Sequence, residues 1–293
     1  MLLTIAQKKK IMILPYFLIF PAFLLIIIFK IYPIFSTVID GFRNNNTWTF
    51  VVYKRVFADK VFWNSLWITI KINLVMIPFQ VIVSFMLALL VNAMVKGIGV
   101  FRTIYYLPVT ISLTVGVTLW NMMFNPNNGI INSLLSIFSI PAQGFLIDKN
   151  QALWSIVVIA SWKGCGYWMM FILAGIKNID TTIYESAHLD GANWFTQLFR
   201  ITVPMVKKIL LFVFVANTTA NVLLFVPMQL VTLGGPEGST NVLMYEAYKS
   251  AFRYADRPRA AVMVTTLLLL IIIICIGQFK LLNEKDDTTI QGR

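Results

Sequence analysis

The sequence predicts an all-α integral membrane protein with six transmembrane helices. Of its 293 residues, 58% are hydrophobic and only 12% are charged, and the mean hydropathy is +0.78, whereas soluble domains carry about a quarter charged residues. The apolar residues gather in six segments, each long enough to cross a bilayer, for which roughly 20 residues are needed. Six spans and their connections take up nearly the whole chain, so residues 1–293 are interpreted as a single transmembrane domain.

The six predicted spans are residues 11–35, 63–93, 103–124, 152–176, 209–231 and 258–282. Each is expected to be helical, because backbone polar groups in lipid must be satisfied within one segment or in a closed barrel, and the alternation of barrel strands is absent. Prolines in several of these spans predict kinks near cavities, among them Pro21, Pro33, Pro78 and Pro227. Lys71, in the second span, is expected to snorkel outward.

The first span follows Lys8, Lys9 and Lys10, as the apolar core of a signal peptide would. It is too long for such a core and has no small-residue cleavage site, so we expect an uncleaved first helix. With six spans the two termini lie on the same side. That side holds twelve Lys and Arg residues against nine on the other, which favours cytoplasmic N- and C-termini.

Several classes of function are disfavoured by what the sequence contains. The net charge of +12 comes from basic residues near the ends of apolar runs, where anionic headgroups explain them, so we expect no nucleic-acid binding. Neither the two cysteines nor the single histidine, His188, belongs to a metal or catalytic constellation. The chain lacks a GxxxxGK[ST] motif for ATP. The six segments contain no Asp or Glu, which counts against a proton-coupled transporter.

The connection at residues 177–208 differs from the others because it is long, of mixed charge and patterned like an amphipathic helix. Its central part reads YESAHLDGANWFTQLFRITVP, from Tyr184 to Pro204. Residues 185–192 can form a short helix with small surface residues, and Gly191 permits a turn or a close contact that a Cβ would block. An apolar face follows, formed by Trp194, Phe195, Leu198, Phe199 and Ile201.

This loop resembles the EAA signature of the permease subunits of binding-protein-dependent ABC importers, which reads Glu-Ala-Ala, then Asp-Gly-Ala, then Ile-x-Leu-Pro after a spacer. Eight positions match in register: Glu185, Ala187, Asp190, Gly191, Ala192, Phe199, Ile201 and Pro204. Ser186 and Val203 are mild departures. The resemblance implies a coupling helix that docks in a groove of an ATPase subunit, where Glu185 pairs with a basic residue and Gly191 allows close docking. The alternative is an ordinary amphipathic connector without a partner.

Other stretches resemble the sugar-importer branch, namely IYPIF (31–35), FRTIYYLP (101–108), GIINSLL (129–135) after Trp120, and TLGGP (232–236). The resemblance implies a type I ABC importer permease fold with a cytoplasmic coupling helix, working by alternating access in the bacterial cell membrane. It also implies a second, related permease, two ATPase subunits that carry ATP and Mg²⁺, and an external solute-binding protein, with no cofactor on this chain. The alternatives are the same machine for a peptide, amino acid or phosphodiester, and an ion-coupled transporter or channel.

Two groups of polar and aromatic residues are candidates for the solute pathway. Asn217 and Asn221 stand four apart in the fifth span, hence on one helix face, with Thr218 beside them. They either bond sugar hydroxyls or join helices. Trp120, Asn121, Trp162 and Trp168 offer stacking surfaces for sugar rings, or anchor span ends at the membrane interface. Lys163, in the fourth span, must either face a water-filled cavity, where it could bind an anionic solute, or extend its ammonium group to the membrane interface.

Overall fold

In a computed structural model the protein is described over residues 16, 18–44, 47–92 and 97–290, with side chains up to residue 280. The helices are α1 (Leu18–Gly41), α2 (Val51–Phe57), α3 (Lys60–Asn92), α4 (Ile98–Thr110), α5 (Leu113–Met123), α6 (Ile130–Ile137), α7 (Ala152–Lys177), α8 (Thr181–Leu189), α9 (Trp194–Gln197), α10 (Lys207–Val222), α11 (Leu243–Phe252) and α12 (Arg257–Ile290). A two-stranded antiparallel ribbon, β1 (Arg43–Asn44) and β2 (Thr47–Trp48), follows α1.

Four helices in the described ranges are long and apolar enough to cross a membrane: α1, α3, α7 and the part of α12 from Arg257 to Lys280. They correspond to the first, second, fourth and sixth predicted spans. Residues 11–15 and 17 of the first predicted span lie outside the described residues. Pro78 lies within α3, which continues through it as one helix.

The third and fifth predicted spans are interrupted. In place of one helix over 103–124, α4 and α5 meet at an angle of 101° across Ile111 and Ser112. The start of α5 is stabilised because the hydroxyl of Ser112 accepts a hydrogen bond from the backbone N–H of Val115, at 3.2 Å, and so caps the helix. The predicted span at 209–231 begins as α10 but ends at Val222, and a π-helical turn follows at Met228–Thr232. The arrangement is compatible with six crossings.

Helix α7 is the centre of the bundle. Its most apolar window is 61% buried, against 33% for α3 and none for α1, and it packs against α3, α4 and α10. Glycines allow the close contacts, because a Cβ at Gly166 would overlap the carbonyl oxygen of Tyr105 in α4. Helix α1 lies at the periphery and packs mainly against α12.

Buried ionic contacts hold α11 against the starts of α3 and α12. The carboxylate of Glu246 in α11, only 4% exposed, lies 2.7 Å from Lys249 and 3.2 Å from Arg259, and it accepts a hydrogen bond from Asn241 at 2.9 Å. Arg259 also reaches Asp59, at 2.7 Å. Burial alone would raise the pKa of Glu246, but the hydrogen bonds from Lys249 and Asn241 and the two positive charges hold it below its usual range.

Candidate functional site

The predicted coupling segment forms a surface helix, α8, at the end of the bundle where α3 and α7 terminate. Its start is fixed by Asp180, whose carboxylate accepts a hydrogen bond from the backbone N–H of Thr182 at 3.0 Å. That bond lowers the pKa of Asp180. Helix α8 therefore begins four residues earlier than the sequence indicated and ends at Leu189 rather than at Ala192.

Helix α8 ends in a left-handed turn at Gly191, where φ is +76°. The N–H of Gly191 donates to the carbonyl of His188 at 3.0 Å, and the N–H of Ala192 donates to that of Ala187 at 2.9 Å. These two bonds form a Schellman motif, which favours glycine at the left-handed position. Apart from its chain neighbours, Gly191 has no atom of the described residues within 4 Å of where its Cβ would be. The backbone conformation favours glycine here, and the space outside the turn is open.

The exposed side of α8 carries one acidic and one large apolar side chain at helical spacing. Glu185 is exposed and makes no hydrogen bond or ion pair with any residue that the structure describes. Leu189, four positions later on the same face, is 88% exposed. The sequence interpretation missed Leu189, although the i, i+4 spacing from Glu185 was the available signal. We call α8 and the turn at 190–192 the coupling surface.

The second half of the loop continues this surface with aromatic residues. Trp194 and Phe195 start α9, capped by Asn193, and their rings meet edge to face with centroids 4.9 Å apart. Both rings are exposed, as is Phe199, whereas Leu198 is buried. The predicted apolar face thus splits into an outer part and an inner part that anchors the loop.

The loop is anchored to the bundle by its own side chains. The hydroxyl of Tyr184 in α8 lies 2.9 Å from that of Thr202, which is buried. Ile179 and Val206, one at each end of the loop, belong to an apolar cluster with α7 and α10. Among the remaining predicted coupling residues, Ser186, Asp190 and Pro204 are exposed, and Ala187, Ala192 and Ile201 are half-buried.

The polar residues of the fifth span lie inside the bundle. Asn221 donates hydrogen bonds to the side-chain oxygen of Asn217 at 2.7 Å and to that of Gln80 in α3 at 2.8 Å. Gln80 also donates to Ser161 of α7, at 3.2 Å. Thr218 accepts a hydrogen bond from Gln278 of α12 at 2.6 Å. These contacts join α10 directly to α3 and α12, and through Gln80 to α7, which favours the helix-joining interpretation of Asn217, Asn221 and Thr218 in this chain.

Lys163 has protein partners that account for its position. Its ammonium group donates to the carbonyl oxygens of Pro108 at 3.4 Å and Val109 at 3.0 Å, and to that of Ile111. These carbonyls end α4 at the 101° bend, where no helical N–H follows to satisfy them. The positive charge also complements the negative end of the helix dipole. Lys163 thus stabilises the broken helix without a bound anion.

The structure brings together some of the predicted aromatic residues and separates others. Trp120 and Trp162 meet edge to face with ring centroids 5.9 Å apart and line a pocket of about 540 Å³. Asn121 is exposed next to Trp120. Trp168 is buried against Tyr167 and Phe171, on another part of α7. Trp120 and Trp162 therefore stay candidates for a stacking surface, whereas Trp168 belongs to the core.

The structure is a helical bundle whose described part holds four helices long and apolar enough to cross a membrane and presents an exposed loop between two predicted spans, an arrangement that fits the membrane subunit of a transporter. A family model for the binding-protein-dependent transport system inner membrane component matches residues 62–285. The chain belongs to this family of ABC transporter permeases.

Relatives of known description agree along most of the chain. The lactose transport system permease protein LacF of Rhizobium radiobacter is 32% identical over 80% of this chain and 82% of its own length. The trehalose/maltose transport system permease protein MalF of Thermococcus litoralis is 28% identical over 84% of this chain and 86% of its own. The sn-glycerol-3-phosphate transport system permease protein UgpA of Salmonella typhimurium is 28% identical over 93% and 95%.

Solved structures share the fold. A chain of a bacterial ABC transporter involved in the import of the acidic polysaccharide alginate has a TM-score of 0.84 at 20% identity, covering 94% of this chain and 97% of that chain. A chain of the bacterial alginate ABC transporter in complex with an alginate pentasaccharide-bound periplasmic protein has a TM-score of 0.81 at 21% identity, covering 94% and 95%. The permease fold predicted from the sequence is confirmed.

Proposed function

We propose that this chain is the membrane-spanning subunit of an ATP-driven importer that brings a sugar or oligosaccharide into the cytoplasm by alternating access. The observation that carries the proposal is the coupling surface: within the described part of the chain, an unpaired Glu185 and an 88% exposed Leu189 on a helix anchored firmly to the bundle. Leu189 and the exposed rings of Trp194, Phe195 and Phe199 form a group of large apolar side chains on this surface, and such a group marks a site for a protein partner. The solute class is supported by relatives named for lactose and for trehalose and maltose.

The proposal includes partners on both sides of a bacterial cell membrane. Two cytoplasmic ATPase subunits, which carry ATP and Mg²⁺, dock on the coupling surfaces of this chain and of a second, related permease. The lateral surface of α1, with no buried residue in its apolar window, offers area for that second permease. An external solute-binding protein delivers the solute, in keeping with the family to which the chain belongs.

In this proposal both termini lie in the cytoplasm, on the same side as the coupling surface. What supports this orientation is the excess of Lys and Arg residues on that side of the predicted topology, twelve against nine. ATP binding closes the ATPase dimer, the coupling helices approach each other, and the cavity opens outward. Hydrolysis then returns the transporter to the inward-open state.

Uptake measurements test the proposal. Cells that lack this chain would be complemented with wild type or with Gly191→Asp and offered labelled oligosaccharides, glycerol phosphodiesters, amino acids and short peptides. We expect wild type alone to restore uptake of a sugar, while Gly191→Asp reaches the membrane but does not transport. Restored uptake of a peptide would overturn the sugar assignment, and normal transport by Gly191→Asp would overturn the role of the coupling surface.

A further inference from the structure

A second polar pocket lies at the opposite end of the bundle from the coupling surface. It has a volume of about 500 Å³ and is lined by Trp67 and Lys71 of α3, by Lys149 and Trp154 at the start of α7, and by Glu237. Lys149 and Glu237 form an exposed ion pair with a separation of 2.6 Å. Lys71 makes no hydrogen bond or ion pair with any residue in the described ranges. The pocket therefore keeps one net positive charge.

Lys71 stands in the outward stripe of α3, which is otherwise apolar below Trp67. Trp67 is 63% exposed and Leu74 is 71% exposed, one on each side of Lys71 along the helix. The stripe continues to the other end of the helix with exposed apolar side chains: Phe79, Ile82, Met86 and Leu90. An apolar face of this length on a membrane helix contacts acyl chains, and a lone lysine within it must bring its ammonium group to the polar membrane surface.

The depth of Lys71 can be worked out from the length of α3. Its 33 residues span about 50 Å at about 1.5 Å per residue, and a hydrocarbon core of about 30 Å leaves about 10 Å beyond the core at each end. Trp67, about 10 Å from the start of the helix, then lies at the hydrocarbon boundary, and Lys71 lies about 6 Å below it. A lysine at that depth extends its ammonium group back to headgroup level.

We propose that this pocket binds the phosphate of an anionic phospholipid headgroup. Lys71 supplies the unpaired charge, Trp67 and Trp154 flank the headgroup at the interface where tryptophans are favoured, and one acyl chain follows the apolar stripe of α3. The depth of Lys71 and its apolar neighbours favour a lipid over a segment of the solute-binding protein, which would approach from the aqueous side. The site is independent of the solute and of the coupling surface.

Native mass spectrometry of the purified importer complex tests the site. Complexes of wild type and of Lys71→Gln would be exchanged into mixtures of phosphatidylglycerol and phosphatidylcholine. The identity and amount of each lipid that stays bound would then be determined from the masses of the complexes. We expect Lys71→Gln to lower phosphatidylglycerol retention about fivefold, the effect of one basic residue at an anionic surface, and to leave phosphatidylcholine retention unchanged. Lys60→Gln is the matched control, since Lys60 is an exposed lysine of the same helix that does not line the pocket.

Four results would overturn the lipid assignment. Equal retention of the two lipids, or an equal effect of Lys60→Gln, would show adsorption without a site. Competition by inorganic phosphate alone would show a site for a soluble anion. Cross-linking of a cysteine at position 71 to the second permease, and not to a photoactivatable lipid, would show a protein contact. Gly191→Asp should retain lipid normally, so failure of the proposed coupling role and failure of the lipid site are told apart.

Discussion

A series of substitutions at Gly191 separates two requirements for glycine, the left-handed turn and the open space outside it. At φ +76° an alanine costs about 1–2 kcal/mol, since a Cβ is strained in the left-handed region. That cost shifts the population of the native turn by about five- to thirtyfold. Asparagine adopts this region more readily than alanine but adds a polar side chain to the docking face.

The two requirements give opposite orders of activity. If only the turn mattered, Gly191→Asn would transport better than Gly191→Ala. Since we propose that an ATPase subunit approaches this open space, we expect Gly191→Ala to keep reduced activity and Gly191→Asn to lose nearly all of it. The assay combines three measurements on the same cells: the amount of permease in the membrane, the amount of ATPase subunit that co-purifies with it, and sugar uptake.

A matched control is available at Gly97, which is also exposed, has φ +88° and, among the residues that the structure describes, has no atom within 4 Å of the place that a Cβ would take. Gly97→Asn should leave ATPase co-purification and uptake near the wild-type level. The reasoning about close docking is refuted if Gly191→Asn transports as well as or better than Gly191→Ala while both reach the membrane in normal amounts.

Three further predictions address other parts of the chain. Leu189→Ala should weaken ATPase binding roughly tenfold or more, because burying a leucine contributes about 1.5–3 kcal/mol. The control is Leu74→Ala on the lateral face of α3, where the side chain is 71% exposed, and this variant should leave ATPase co-purification unchanged. Equal effects of the two substitutions would contradict the docking role of Leu189. Lys163→Met should lower the unfolding temperature in detergent, because the carbonyls that end α4 lose their donor at a cost of about 1–3 kcal/mol; unchanged stability would disprove this role. Because the pKa of Glu246 lies below its ordinary value of 4.5, the folded chain binds fewer protons there than the unfolded chain, so its contribution to stability is present above about pH 4.5 and is lost as the pH falls through the folded pKa. Glu246→Gln should flatten that acid-side decrease in an unfolding titration, and an unaltered slope would assign it to other groups.

The membrane helices could be predicted from the sequence because each needs only a long apolar run. The bend between α4 and α5 could not. Neither Ile111 nor Ser112 is a helix breaker by type, and Pro108 within α4 would also fit one continuous, kinked span. The carbonyls left free at the bend are satisfied by Lys163, which is far away in the sequence. The sequence identified Lys163 as needing a partner, but the partner is a helix end created only by the tertiary fold.

In the candidate site, too, the features set by local sequence could be predicted and those set by tertiary contacts could not. Gly191 and the neighbouring motif positions were found because a local turn needs a local residue type, and the structure shows that turn. The roles proposed for these residues stay predictions. The hydrogen bond from Asn221 to Gln80 joins residues 141 positions apart, and nothing in the spacing of the fifth span points to α3. Whether a buried amide faces a solute or another helix depends on such pairings, so sequence alone left both interpretations open.

The anchoring of the coupling surface determines which parts of the chain move together. Only residues 178–180 separate α8 from α7, and the Tyr184–Thr202 contact ties α8 to the stretch before α10. Helix α8 therefore has no flexible hinge of its own. In the proposed transport cycle, a displacement of α8 is passed directly to α7 and α10, which lie in the packed core.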